Sequence, residues 1–152
     1  MEVLFMKKIN EMKLSFPSRS VNESFARLAV AGFIAGLDPT IEESTDIRTA
    51  VSEAVTNCIV HGYSEKIGII YITAAIYPDN RVVIRIRDMG KGIEDIGRAM
   101  EPLYTSCHSG ERAGLGFAVM QSLCSKVSVS SKPGRGTSVV LTKKISSKSD
   151  GD

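Results

Sequence analysis

The sequence predicts an α+β fold, a two-layer sandwich in which a mixed, mostly antiparallel sheet is covered on one face by three helices. Apolar periodicity changes along the chain in the order strand, helix, helix, strand, strand, glycine-rich loop, helix, strand, strand. Short runs of turn residues, Pro78–Asn80 and Pro133–Gly136, separate the members of two strand pairs, as in antiparallel hairpins. Helices and hairpins in this order typically form two layers rather than a doubly wound parallel sheet.

The first strand and the first helix lie near the N-terminus. Residues 12–16 alternate between apolar and polar side chains and are followed by Pro17, as expected for a strand. Ser20, with Glu23 three residues later, predicts a capping box at the start of the first helix. The apolar residues of this helix that recur at helical spacing are Phe25, Leu28, Ala29, Phe33 and Leu37.

The second helix has the strongest periodicity in the chain. It starts near Ile41 or Ser44, and Gly62 marks its end. Its apolar stripe extends over three turns and consists of Ile47, Ala50, Val51, Ala54, Val55, Cys58 and Ile59. A stripe of this width predicts a helix that packs against the sheet along its length.

The remaining elements complete one domain. They are strands over 69–77 and 81–88, a short helix near 93–100, a helix over 115–125, and strands over 127–131 and 137–145. We therefore expect a domain over 12–145, preceded by an N-terminal extension over 1–11 and followed by a polar tail over 146–152.

The composition limits the possible functions. The 152 residues include 19 Lys and Arg against 17 Asp and Glu, a net charge of +2 that argues against a dedicated nucleic-acid binder. The 3 cysteines contain no CxxC pair, which argues against a disulfide framework or structural zinc and indicates a reducing, cytoplasmic location. The longest apolar run, Leu28–Leu37, is half of the roughly 20 residues that a membrane span needs.

Three polar residues recur on one face of the second helix. Glu53, Asn57 and His61 are spaced by four residues, so they project from the same side. A carboxylate and an amide one turn apart can divide the chemistry, because one accepts a proton and the other binds a metal ion through its oxygen. Glu53 alone is more typical of a solvated polar face, whereas Asn is a poor helix former and is harder to explain at mid-helix.

Two glycine-rich segments flank the loop that follows the third predicted strand. Residues 88–92 (DMGKG) would let the backbone approach a flat ligand, and the Asp88 carboxylate could accept a hydrogen bond from an exocyclic amine. Residues 110–116 (GERAGLG) lead into the third helix, whose N-terminus would favour phosphate. Each segment alone is compatible with a plain turn or loop, and Thr137 alone with an ordinary strand residue.

Taken together, these elements resemble the ATP-binding fold shared by gyrase, the Hsp90 chaperone, histidine kinases and the MutL protein. The matching segments are Glu53–Asn57 with His61–Tyr63 for the N box, Asp88-x-Gly90-x-Gly92 and Gly114–Gly116 for the two glycine boxes, and Gly136-Thr137 for the last nucleotide contact. Within this superfamily, residues 22–27, 37–40, 52–57 and 101–105 resemble the anti-sigma-F factors of spore-forming bacteria. No His precedes His61, where a histidine kinase would need its phosphoacceptor helix.

The resemblance implies a role for each residue of a catalytic site. Glu53 would be the general base that orients or deprotonates an acceptor serine, and Asn57 would bind the Mg²⁺ that bridges the ATP phosphates. Arg112 would lie near the γ-phosphate, where its charge would assist phosphoryl transfer. A solvated charge in the lid is an equally good interpretation of Arg112.

The resemblance also implies how ATP or ADP would be held. Asp88 would accept a hydrogen bond from the adenine amino group and so select ATP over GTP, and Thr137 would support the adenine. A lid over 93–113 would close over the phosphates. The glycines that would allow close backbone approach and lid movement are Gly90, Gly92, Gly114 and Gly116.

By the same resemblance, the protein would be a cytoplasmic serine kinase that uses Mg-ATP to phosphorylate an anti-anti-sigma factor. It would also bind and inhibit a sporulation sigma factor, as a homodimer, without direct contact to nucleic acid or membrane. Arg27, on the first helix, would contact both protein partners. Three alternatives remain open: a stress-response kinase of the anti-sigma-B type, a binding module that uses ATP only as a conformational ligand, and an ATPase subunit of a larger complex.

Overall fold

The computed structural model describes residues 7–100 and 116–146. Its strands are β1 (Asn10–Pro17), β2 (Ile69–Ile76), β3 (Arg81–Asp88), β4 (Lys126–Lys132) and β5 (Gly136–Lys144). Its helices are α1 (Asn22–Ile34), α2 (Ile41–Asn57), α3 (Ile96–Ala99) and α4 (Gly116–Leu123). The strands form one sheet in the order β1-β2-β3-β5-β4. Every neighbouring pair of these described strands is antiparallel, so the predicted α+β architecture is confirmed with a more uniform sheet than expected.

The core lies between the sheet and a helical layer. Helix α2 contacts both α1 and α4, so these three helices cover one face of the sheet as predicted. Alternate strand residues point into this layer, and Ile70, Ile72 and Ile86 are fully buried there. Strand β1 begins at Asn10, inside the segment that we expected to be an extension. No helix in the described part of the chain is long and apolar enough to cross a membrane.

Helix α1 presents to the core a face that overlaps only in part with the predicted one, because only some of the predicted apolar residues pack there. Ala26, Val30 and Ile34 are completely buried, whereas Phe25 is 51% exposed and Leu28 is 68% exposed. The small Ala26 side chain lies on the buried face of α1, and α1 packs against α2. The orientation of α1 therefore follows from its packing against α2. It does not follow from the size of the apolar residues on α1.

The capping box predicted for α1 is wrong. The N-cap residue is Val21, and no side chain caps the helix there, so Ser20 does not have the predicted role. The Glu23 carboxylate instead accepts hydrogen bonds from Arg27 Nε at 2.7 Å and from Ser52 Oγ at 2.7 Å. Because Ser52 belongs to α2, Glu23 joins the two helices rather than closing the first turn of α1.

Helix α2 has the capping box and an unusual C-terminal end. Thr40 Oγ1 accepts from the Glu43 amide at 3.0 Å, while the Glu43 carboxylate accepts from the Thr40 amide at 2.9 Å. The predicted apolar stripe of α2 faces the core, with only its last residue, Ile59, partly exposed. The α-helix ends at Asn57 and continues as one π-helical turn, Cys58–Gly62, which changes the direction of the following side chains.

Candidate functional site

A cavity of about 350 Å³ lies where the C-terminal ends of α2 and β3 meet the start of β5. This volume is within the usual range of small-molecule sites. Ile86, Phe117 and Val139 form apolar parts of its wall, and Asn57 and Asp88 contribute polar groups. The cavity therefore combines an apolar surface with a few oriented polar groups, the combination typical of a ligand site.

Asp88 is the buried acidic group of this cavity. It is the last residue of β3 and only 4% exposed. Its Oδ1 accepts from the Gly90 amide at 2.9 Å, and the carboxylate also accepts from the Cys58 thiol and from the Thr137 amide. Burial raises the pKa of Asp88, and these three hydrogen bonds oppose that increase. The result is a fixed hydrogen-bond acceptor in an apolar wall.

Asn57 and Glu53 come together through Gly116, the first residue of α4. A Cβ atom on Gly116 would lie 3.2 Å from both terminal atoms of the Asn57 amide and 3.4 Å from Glu53 Oε2. Asn57 lines the cavity itself, and Glu53 lies one helical turn before it with Oε2 buried. The structure thus places the carboxylate and the amide on the same side of α2, as their spacing predicts, and it brings both beside the start of α4.

Thr137 is held in the cavity wall by strand register and by Ser131. It pairs with Asp88 across β3 and β5. Ser131 Oγ donates to the Gly136 carbonyl at 2.9 Å, so the Thr137 hydroxyl must donate in its 2.8 Å contact with Ser131. The Ile93 amide also donates to Ser131 Oγ at 2.8 Å, which ties the start of the following loop to the same residue.

The glycines after Asp88 fit against other parts of the backbone. Gly92 lines the cavity and has φ +78°, and a Cβ there would lie 2.2 Å from the Lys132 carbonyl oxygen. A Cβ on Gly90 would lie 2.0 Å from the Gly62 carbonyl oxygen, so Gly90 makes a close contact with protein rather than with open space. Only glycine satisfies both the positive φ and the close contact at position 92.

Two predicted residues cannot be placed, and one lies elsewhere. Arg112 and Gly114 fall outside the described residues. Arg27 does not line the cavity and lies on α1, where its guanidinium bonds Glu23 Oε2 and Ser24 Oγ. The side chain of Arg27 remains 41% exposed.

Several cavity residues were not singled out from the sequence. Ile86 and Val139 each lie two residues from a predicted site residue on the same strand, and Phe117 directly follows Gly116. Strand alternation therefore contained a signal for the first two, since residues two apart share a face. Lys91 also lines the cavity, although it lies within the first glycine segment.

The residues present fit the groups that the sequence resemblance implies. A buried carboxylate in an apolar wall suits a flat heteroaromatic ring that carries an amine, because the amine can donate to it. The Asn57 amide oxygen is a suitable ligand for Mg²⁺, which usually takes few protein ligands and several oxygens from phosphates and water. Asn57 and Asp88 line the same cavity, so one nucleotide could contact both.

Two solved structures of bacterial proteins have the same fold. One, described as the RsbU and RsbW domains of a Mycobacterium tuberculosis protein, aligns with a TM-score of 0.66 and 21% identity, over 90% of this chain and 32% of that chain. A blue-light activated histidine kinase from Erythrobacter litoralis aligns with a TM-score of 0.57 and 23% identity, over 74% of this chain and 34% of that one. At these identities the alignments establish the fold alone.

Sequence comparison places the chain more narrowly. Residues 16–143 match the family described as the histidine kinase-like ATPase domain. An anti-sigma F factor of a Thermoanaerobacter species is 58% identical over 93% of this chain and 99% of the relative. The anti-sigma F factor of Clostridium acetobutylicum is 51% identical over 90% of this chain and 94% of the relative. The chain therefore belongs to the histidine kinase-like ATPase domain family and, within it, to the anti-sigma F factors.

Proposed function

We propose that this protein inhibits a sporulation sigma factor and uses Mg-ATP to phosphorylate a serine of the corresponding anti-anti-sigma factor. The observation that carries the kinase part is the buried Asp88 carboxylate, which lines the same cavity as Asn57. Family membership supports both the anti-sigma role and an ATP-binding kinase-like domain. The choice of serine and the identity of the sigma factor belong to the proposal.

In the proposed site, each side chain has one task. Asp88 accepts a hydrogen bond from the adenine amino group, and Thr137 supports the base from the neighbouring strand. Asn57 binds Mg²⁺, and Glu53 accepts the proton of the attacking serine hydroxyl. ATP, when bound, supplies the phosphoryl group. Gly90, Gly92, Gly114 and Gly116 permit close backbone contacts and movement of a lid, and Arg112 provides positive charge near the γ-phosphate.

The proposed protein contacts lie away from the cavity. Arg27 is on the surface of α1, and its exposed guanidinium is held along the helix by Glu23 and Ser24. We assign it to contact with the sigma factor and the anti-anti-sigma factor. The proposal includes a cytoplasmic homodimer that makes no direct contact with nucleic acid.

Three other functions make different predictions. A stress-response kinase of the anti-sigma-B type would have the same chemistry but would bind a different sigma factor, and the similarity to anti-sigma F factors supports the F type instead. A binding module that uses ATP only as a conformational ligand would not transfer phosphate. An ATPase subunit of a larger complex would hydrolyse ATP readily without any protein acceptor.

Phosphoryl transfer to the cognate anti-anti-sigma protein tests the kinase proposal. Wild-type protein with ATP and Mg²⁺ should produce phosphoserine, and Glu53→Gln should slow transfer by about 10²–10⁴-fold because the positioned base is lost. The Glu53→Gln variant should still bind ATP and the sigma factor. Glu42→Gln, in the exposed first turn of the same helix, is the matched control and should transfer at the wild-type rate.

The possible failures of this experiment have different meanings. Unchanged transfer by Glu53→Gln would remove the proposed role of Glu53 and leave the kinase activity. Wild-type protein that binds ATP but produces no phosphoserine would remove the kinase activity and favour the ATP-dependent binding module.

A further inference from the structure

Tyr63 connects the end of α2 to the loop that carries Asp88. It follows the π-helical turn and is only 5% exposed. Its hydroxyl lies 2.7 Å from the Ile69 carbonyl oxygen and 2.6 Å from the Met89 amide nitrogen. Because a carbonyl can only accept and an amide can only donate, the hydroxyl donates to Ile69 and accepts from Met89.

The ring and the proton of Tyr63 are both well fixed. A Cβ atom on Gly68 would lie 2.3 Å from the ring, so the phenol packs directly on that glycine. Burial raises the pKa of the Tyr63 phenol, and the nearby Asp88 carboxylate raises it further, while the hydrogen bond from Met89 opposes the increase. The hydroxyl therefore keeps its proton and can make both hydrogen bonds at once.

The three backbone amides that follow Asp88 in the sequence all donate hydrogen bonds. The Met89 amide donates to the Tyr63 hydroxyl, the Gly90 amide to Asp88 Oδ1 at 2.9 Å, and the Lys91 amide to the Gly62 carbonyl at 3.0 Å. Two of the three acceptors thus belong to the Gly62–Tyr63 pair. The hydrogen bond from the Met89 amide to Tyr63 fixes the peptide group between Asp88 and Met89. The orientation of that peptide group in turn sets the direction of the Gly90 amide.

Gly62 also limits the space around the carboxylate. A Cβ on Gly62 would lie 2.7 Å from Asp88 Cγ, so the main chain at the end of the π-helical turn packs on the carboxyl group. The Cys58 thiol, from the start of the same turn, donates to this carboxylate. One turn of the chain therefore contacts both the side chain of Asp88 and the backbone that follows it.

We propose that Tyr63 is a positioning residue for base recognition, in which its hydroxyl fixes the peptide after Asp88 and thereby the direction of the carboxylate. This inference rests on the proposed function, because it assumes that Asp88 accepts from an adenine amine. A fixed carboxylate discriminates between bases, since adenine presents a donor at this edge and guanine presents a carbonyl oxygen that the carboxylate repels. Loosening the carboxylate should weaken this discrimination.

The test compares the affinities for ATP and GTP in wild-type protein and two tyrosine variants. Tyr63→Phe removes the hydroxyl and keeps the ring, and we expect the ratio of ATP affinity to GTP affinity to fall about tenfold, because one hydrogen bond is lost next to the base-reading group. Tyr77→Phe is the matched control, since Tyr77 follows β2 at the distant hairpin with Arg81 over its ring, and it should keep the wild-type ratio.

Asp88→Asn separates this inference from the proposed function. One outcome would refute the role of Tyr63 and leave the nucleotide site intact. In it, wild-type protein prefers ATP over GTP, Asp88→Asn loses this preference, and Tyr63→Phe keeps it. If wild-type protein does not bind ATP, or Asp88→Asn keeps the wild-type preference, the assignment of Asp88 fails and the inference fails with it. A general loss of stability would weaken binding of both nucleotides and leave their ratio unchanged, which would also refute positioning.

A measurement on the wild-type protein keeps the inference testable if Tyr63→Phe does not fold. Met89 as a residue is 58% exposed, yet its amide donates to the hydroxyl of the buried Tyr63. Hydrogen exchange should therefore find the Met89 amide protected in the nucleotide-free protein. An amide at Met89 that exchanges as fast as in an unfolded chain would contradict the proposed hydrogen bond.

Discussion

Asp88 is a carboxylate that has lost most of its water and has gained three protein donors in exchange. The donors come from three separate parts of the chain: the Gly90 amide in the following loop, the Cys58 thiol after α2, and the Thr137 amide on β5. Burial is the largest influence and raises the pKa of Asp88 despite these donors. The residue that is proposed to recognise the base is therefore held at a cost in stability.

The raised pKa of Asp88 predicts how stability depends on pH. The folded chain holds this proton more tightly than the unfolded chain, in which an Asp titrates near pH 3.9. As the pH rises from about 4 through the raised pKa, ionisation of Asp88 should lower the free energy of unfolding, and the decrease should stop above that pKa. Urea denaturation across this pH range should show this decrease in the free energy of unfolding for wild-type protein and not for Asp88→Asn. A difference between the two proteins that is constant with pH would contradict the assignment.

Individual site residues were predictable where the motif lies within one element. Glu53 and Asn57 share a helix face, so their spacing alone placed them together. The contact of Tyr63 with Met89 was not predictable in this way, because it joins positions 26 apart through a π-helical turn. Nothing in the apolar pattern of α2 distinguishes such a turn from a continued α-helix.

At the scale of elements, the N-terminal ends of α1 and α2 illustrate the limits of local patterns. Ser20-Glu23 and Thr40-Glu43 have the same capping-box spacing, but only the second pair forms the reciprocal hydrogen bonds. In α1, the Glu23 carboxylate bonds Ser52 of the neighbouring helix instead. Tertiary contacts thus determined which of two equivalent local signals was used.

This difference predicts unequal effects of two similar substitutions on stability. Thr40→Ala removes the side-chain acceptor of the Glu43 amide and should lower the free energy of unfolding by about 1 kcal/mol. Ser20→Ala is the control, and it should change the free energy of unfolding by less than about 0.5 kcal/mol because Ser20 does not cap α1. Urea denaturation measures both. Equal decreases in the free energy of unfolding for the two variants would contradict this prediction, because the capping box of α2 would then contribute no more to stability than Ser20 does.

At the scale of the whole molecule, sheet order brings the site together. Strand β3 lies between β2 and β5, and the register of β3 with β5 sets Asp88 opposite Thr137. Helix α2 packs over the same sheet and ends at Asn57, beside the C-terminal end of β3. Residues from three segments that are distant in sequence therefore meet at one site, and each of them belongs to a regular helix or strand.

The overall architecture was predictable because local signals agreed with one another. Hairpin turns, the apolar stripe of α2 and the glycine segments all fitted one order of elements, and the observed sheet follows it. The orientation of α1 was not predictable, since Phe25 and Leu28 give as strong an apolar pattern as the face that is buried. The face that is buried is set by tertiary packing, since α1 contacts both α2 and β1.

The most direct test of the account is the affinity of the protein for Mg-ATP, measured by titration calorimetry with wild-type protein and Asp88→Ala. We predict one site in the wild-type protein and a loss of about 1.5–3 kcal/mol in binding free energy for Asp88→Ala, which is roughly 10- to 150-fold in affinity. Asp79→Ala, in the β2–β3 turn, is the control and should bind as the wild type does. An Asp88→Ala variant with unchanged ATP affinity would contradict the account, because the base would then be recognised outside this cavity.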